Sequence, residues 1–128
     1  MAPFFSNILC VGLGGAVGAI LRYCVSLLFG GTHFCLSLPT VTVNITGSFL
    51  IGLLSALFAA YSAPGALRLL LIVGLLGGFT TFSTFAFDST SLILKGEWQL
   101  FILNILINNV GSILAAIAGL LLGKFLFQ

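Results

Sequence analysis

Charged residues divide the chain into four long apolar intervals. No charge precedes Arg22, and between Tyr23 and Leu67 the titratable side chains are limited to His33, two cysteines and two tyrosines. Arg68 closes that interval, Leu69 to Phe87 is again uncharged, and Lys95-Gly96-Glu97 separates it from a last apolar stretch. About 20 apolar residues suffice to cross a bilayer core, whose centre penalises charge heavily. With turn signals at Gly30, Gly31 and Pro39 and at Ser62-Ala63-Pro64-Gly65, the pattern predicts membrane helices over residues 4–29, 40–61, 68–94 and 98–123. The expected architecture is one all-α transmembrane domain over 1–128, with short loops.

The third interval departs from a plain spanning helix. Gly74 to Phe85 reads GLLGGFTTFSTF, with three glycines and the hydroxyls of Thr80, Thr81, Ser83 and Thr84. Such residues at membrane depth predict a third helix broken near its middle, because irregular backbone in a bilayer survives only inside protein or beside a wet cavity. Phe79, Phe82 and Phe85 recur at spacing three and share a face, with the hydroxyls between them.

Composition strengthens the membrane reading. Of 128 residues, 60% are hydrophobic and 5% charged, and the mean hydropathy is +1.32, more apolar surface than a soluble domain of this size can hide. The first segment lacks a basic leader and a convincing cleavage site, so it is expected to remain as a helix. Cys10, Cys24 and Cys35 have no metal-ligand spacing and read as small apolar filler, and His33 falls in a loop.

With four spans both termini share a side, which holds Arg68 and Lys124, while Arg22 and Lys95 lie opposite. The basic count is balanced, so the positive-inside rule favours neither orientation. Two readings remain open: one orientation set by a weaker bias, or both orientations paired as an antiparallel homodimer. Gly14 with Gly18, and Gly111, Ala115, Gly119 and Gly123, form small-residue ridges at spacing four, suited to contact between subunits or within one.

Polar residues inside the spans narrow the chemistry. Thr40, Thr42, Asn44, Thr46 and Ser48 lie in the second, and Asn104, Asn108 and Ser112 line one face of the fourth, with Asn109 turned elsewhere as packing. At 1.5 Å per residue that face is a polar track about 12 Å long. Spans one, two and four hold no carboxylate, while amides, hydroxyls and phenylalanine edges all present positive ends. These donors favour an anion over a cation or a coupled proton. Asp88 lies near the end of span three, toward the interface. No histidine or buried base accompanies the serines and threonines, so no enzyme activity is expected. A small proton-coupled multidrug antiporter would share the size and the four helices, but residues 1–21 contain no carboxylate to couple protons.

At these residues the chain resembles the CrcB/Fluc fluoride channel family. GLGGAVGAILRY at 12–23, TVTVNITGSFLIG at 40–52, GGFTTFSTF at 77–85 and LNILINNVGS at 103–112 match the family's four characteristic stretches in order. The departures are Pro39 for a common glycine, Asp88 for a common glutamate, and Asn108 for the serine or tyrosine of some members. The resemblance implies a passive fluoride-selective channel in the plasma (inner) membrane that relieves cells of fluoride. It further implies an antiparallel dual-topology homodimer with two pores, and a structural sodium ion at the dimer interface held by the backbone carbonyls of Gly77 and Thr80. Asn44, Phe82, Ser83, Phe85, Asn108 and Ser112 are then expected along the ion path, with Arg22 in the vestibule. The implied partners are fluoride, a second copy of the chain and the lipid bilayer, with no nucleic acid.

Overall fold

The computed structural model of the chain describes residues 2–29 and 37–127. The sequence readings for Gly30, Gly31, His33 and Cys35 lie outside the described residues. Every described element is helical: α1 (Ala2–Leu28), α2 (Leu38–Ala60), α3 (65–79), α4 (Phe82–Leu94) and α5 (Trp98–Phe127). Four stretches are long and apolar enough to cross a membrane: Phe4–Leu28, Leu38–Ala60, Gly65–Leu94 and Trp98–Phe127. The third of these is α3 followed by α4.

Burial follows the logic of a bilayer protein. Phe4, Leu13, Leu28, Leu94 and Phe125 are each more than 60% exposed, an arrangement suited to lipid and costly in water. Apart from glycines, the buried set among the described residues is small and nearly half polar: Val43, Ala56, Phe58, Leu76, Phe85 and Leu92, with Thr40, Thr81, Ser89, Asn104 and Asn108. Lipid removes the hydrophobic drive for helix association, so close packing and hydrogen bonds must supply it.

Glycine makes that packing possible along two seams. Between α1 and α3, a Cβ at Gly14 would overlap the Leu70 carbonyl oxygen, one at Gly18 the Leu75 carbonyl oxygen, and one at Gly78 would lie 2.6 Å from the Gly15 carbonyl oxygen. Between α2 and α5, Gly52 admits the Ala116 carbonyl and Gly119 the Phe49 carbonyl, while a Cβ at Gly123 would stand 2.6 Å from that of Ala56. The ridges that spacing alone left open to either use are therefore engaged within one subunit.

The turns are stopped by hydrogen bonds. After α4, Gly96 takes φ +75° while its N–H donates to the Ile93 carbonyl and the Glu97 N–H donates to that of Leu92, both at 2.9 Å. After α2, Ser62 adopts φ +48°, the Ala63 N–H donates to the Phe58 carbonyl at 3.2 Å, and Arg68 Nη2 donates to the same oxygen at 2.9 Å.

Two segments are wound wider than an α-helix: Leu69–Leu76 in α3 and Leu106–Gly111 in α5 have π-type i→i+5 bonding. Past Phe79 the backbone opens. Thr80 has φ −79° and ψ 159°, Thr81 has φ −151° and ψ 117°, and helical geometry resumes at Phe82. Thr81 caps α4, its side-chain oxygen accepting from the Thr84 N–H at 3.2 Å.

Candidate functional site: two clefts that share Thr81

An extended dipeptide between two helices leaves backbone groups without helical partners. Asn44, facing it from α2, supplies some of them: the Thr81 N–H donates to Asn44 Oδ1 at 2.8 Å, and Asn44 Nδ2 donates to the Thr81 carbonyl at 3.1 Å. A continuing helix would have given that N–H to the Gly77 carbonyl. The side-chain amide thus substitutes for a neighbouring backbone. Gly47, one turn along α2, makes room for the Thr80 methyl, which occupies the place a Cβ would take. Thr80 Oγ1 in turn donates to the Leu76 carbonyl at 3.0 Å.

Two clefts meet at this point. The first, about 330 Å³, lies between α1, the start of α2 and the start of α4, and is lined by Arg22, Tyr23, Ser26, Thr40, Thr81 and Thr84, among others. The second, about 230 Å³, is lined by Asn44, Ser48, Ile51, Thr80, Thr81, Phe82, Phe85, Asn108, Asn109 and Ser112. Thr81 belongs to both walls. The structure thereby brings Asn44, Phe82, Phe85, Asn108, Ser112 and Thr80 to one cavity and places Arg22 in the adjoining one.

Ser83 and Gly77 line neither cleft. Ser83 is exposed on α4 and hydrogen-bonds through its hydroxyl to Thr81 Oγ1 at 3.2 Å. Gly77 is exposed too, next to the buried Leu76. Asn109, read from helical spacing as packing, is exposed and lines the second cleft. The π-type turn through Leu106–Gly111 is wider than the α-helical wheel that assigned it elsewhere. Thr81 stood out in sequence only as one of four hydroxyl residues, and its double role came from neither spacing nor composition.

The rings differ in their surroundings. Phe82 is 73% exposed and Phe85 only 7%, with centroids 5.3 Å apart and planes inclined at 61°, an edge-on pair. An edge carries the positive part of the ring quadrupole, so the pair offers weak donors to an anion without an exchangeable proton. Asn44 Nδ2 also donates to Asn108 Oδ1 at 2.9 Å, so both of its protons are engaged. Ser112 Oγ is buried without a hydrogen-bond partner, unlike every other buried side-chain oxygen or nitrogen among the described residues.

Asp88 stands apart from the second cleft. Its Oδ2 accepts from Thr40 Oγ1 at 3.0 Å, and Thr40 Oγ1 lies 2.8 Å from Ser37 Oγ, tying α4 to the first turn of α2.

The model of the family described as CrcB-like protein, Camphor Resistance (CrcB), matches residues 9–120. A protein of Agrobacterium fabrum named fluoride-specific ion channel FluC is 47% identical over 125 residues, covering 94% of this chain and 98% of the relative. Proteins of the same name from Magnetococcus marinus and Legionella pneumophila are 42% and 41% identical, covering 91% and 98% of this chain and 96% and 92% of their own lengths.

Proposed function

The chain belongs to the CrcB-like family, and from that premise we propose that it is a passive, fluoride-selective channel, not an enzyme, that lets fluoride leave the cell across the inner membrane. The observation that carries the reading is the shared wall: an arginine-lined cleft and a cleft of hydroxyls, ring edges and an unpartnered serine meet at the extended Thr81. Fluoride is small and strongly hydrated, so passage requires close, preorganised donors in place of its water. Arg22 raises the local anion concentration at the entrance. Phe82, Phe85 and Ser112 then present ring edges and a hydroxyl, while Ser83 extends the hydroxyl surface beside Thr81.

The break between α3 and α4 has a second role in this reading. Carbonyl oxygens at a helix C-terminus carry partial negative charge and attract cations. Gly77 has lost the Thr81 N–H to Asn44, and Thr80 is extended, so their carbonyls suit a hard cation such as sodium. When bound, sodium supplies fixed positive charge at the break. The exposure of Gly77 leaves that side open to a second copy, which would complete the oxygen set.

An antiparallel homodimer fits two further features. The basic residues are balanced between the two sides. On α4, Phe82, Ser83, Thr84 and Phe87 are all exposed, a mixed aromatic and hydroxyl face poorly suited to lipid. The antiporter reading is weaker, since α1 offers no carboxylate and Asp88 is tied to Thr40.

The test is efflux from proteoliposomes containing the purified protein, with neither a proton gradient nor ATP. Fluoride is expected to leave far faster than chloride, and equal rates would remove the selectivity. Reporters fused to the C-terminus are expected on both membrane faces in comparable amounts.

A further inference from the structure

Asn104 and Ser89 line neither cleft, yet both are almost fully buried, at 1% and 7% exposure. They terminate a hydrogen-bond relay whose direction is fixed. Ser89 Oγ donates to the Phe85 carbonyl at 2.8 Å, and Asn104 Nδ2 donates to Ser89 Oγ at 3.0 Å. Asn108 Nδ2 donates to Asn104 Oδ1 at 2.9 Å and to the Asn104 carbonyl at 3.2 Å, and Asn44 Nδ2 donates to Asn108 Oδ1.

Backbone groups of unalterable polarity anchor both ends: a carbonyl that only accepts at Phe85, and an N–H that only donates at Thr81. Side-chain amides are ordinarily free to exchange O for N by flipping. In this relay a flip of Asn108 would set its donor against that of Asn44, and Asn44 cannot follow without abandoning both Thr81 bonds.

We infer that Asn104 and Ser89 are positioning residues of the ion path: through Asn108 they hold Asn44 in the amide orientation that keeps Thr81 extended between the two clefts. A corollary is that the amide donors of Asn44 and Asn108 serve the protein itself, leaving hydroxyls such as that of Ser112 and the ring edges to face an anion. The inference rests on the channel reading for its flux arm and on geometry alone for its exchange arm.

Four proteins are compared with wild type: Ser89→Ala, Asn104→Leu, the double variant of these two, and Ser89→Thr as the conservative control. Amide hydrogen exchange at Thr81 is measured in the purified protein, and fluoride efflux in proteoliposomes per folded protein. Thr81 is expected to exchange at least fivefold faster in Ser89→Ala, Asn104→Leu and the double variant, and efflux to fall at least fivefold. The double variant is expected to match Asn104→Leu, because both substitutions cut the same chain. Ser89→Thr, which keeps the hydroxyl, is expected to restore Thr81 protection and efflux.

Unchanged Thr81 exchange in Ser89→Ala overturns the inference whatever happens to efflux, since mere helix adhesion would leave that amide alone. Losses that multiply in the double variant overturn it as well. If either single variant does not fold, the other decides. Wild-type protein that passes no fluoride refutes the channel reading, whereas the exchange result then judges the relay by itself.

Discussion

Replacing Asn44 with leucine keeps the side chain's size and removes its polarity. Three groups lose their partners: the Thr81 N–H, the Thr81 carbonyl and Asn108 Oδ1, bonded at 2.8, 3.1 and 2.9 Å. A buried polar group left unsatisfied costs about 1–3 kcal/mol, so three stranded groups amount to about 3–9 kcal/mol against the native backbone of the break. Water in the adjoining cleft reaches some of them and favours the lower end, about 3 kcal/mol. At about 1.4 kcal/mol per factor of ten, that lowers the ratio of extended to alternative Thr81 conformers by roughly 100-fold. Fluoride efflux from Asn44→Leu proteoliposomes is therefore expected to fall by up to about that factor, with the four membrane helices still formed by circular dichroism. Asn44→Asp separates geometry from polarity, since its carboxylate still accepts from the Thr81 N–H but turns both donations into contacts between acceptors. It too is expected to lose efflux. Leucine at position 44 with efflux within threefold of wild type would refute the idea that this amide holds the path open.

Isoleucine at Phe82 or Phe85 is expected to depress fluoride efflux by removing a ring edge. Only the Phe85 change should also lower thermal stability, by about 1 kcal/mol, because Phe85 is buried and Phe82 is 73% exposed. Ser112→Ala should leave the melting temperature unchanged, its hydroxyl having no partner to lose, yet slow efflux several-fold; full efflux would remove it from the path. Gly14→Val drives side-chain atoms into the Leu70 carbonyl and should destabilise the fold by about 1–3 kcal/mol or more. Gly12→Ala, with no atom within 4 Å of its Cβ, should be neutral or slightly stabilising, and thermal melting in detergent distinguishes the two.

Much of this protein was legible from its residues because the bilayer is a blunt judge: charge is excluded, length is prescribed, and the uncharged intervals fall where the membrane-length helices Leu38–Ala60 and Trp98–Phe127 form. The anion-favouring chemistry was legible for a similar reason, as amides and hydroxyls at membrane depth require an explanation wherever they point. Spacing alone could not decide partners. Whether Gly14 and Gly119 faced another subunit or their own became clear only from the carbonyls of Leu70 and Phe49 standing where a Cβ would go. Asn109 was misassigned because an α-helical wheel presumes a winding that α5 abandons at Leu106–Gly111.

The amino-acid sequence by itself determined that the chain enters a membrane as helices and which polar atoms it takes there, since those follow from transfer energies that each residue carries alone. Only the tertiary structure decided which of those atoms face a cleft and which face one another. A hydrogen bond between Asn44 and Thr81 joins positions 37 residues apart, and no local period encodes which neighbour a buried amide will find.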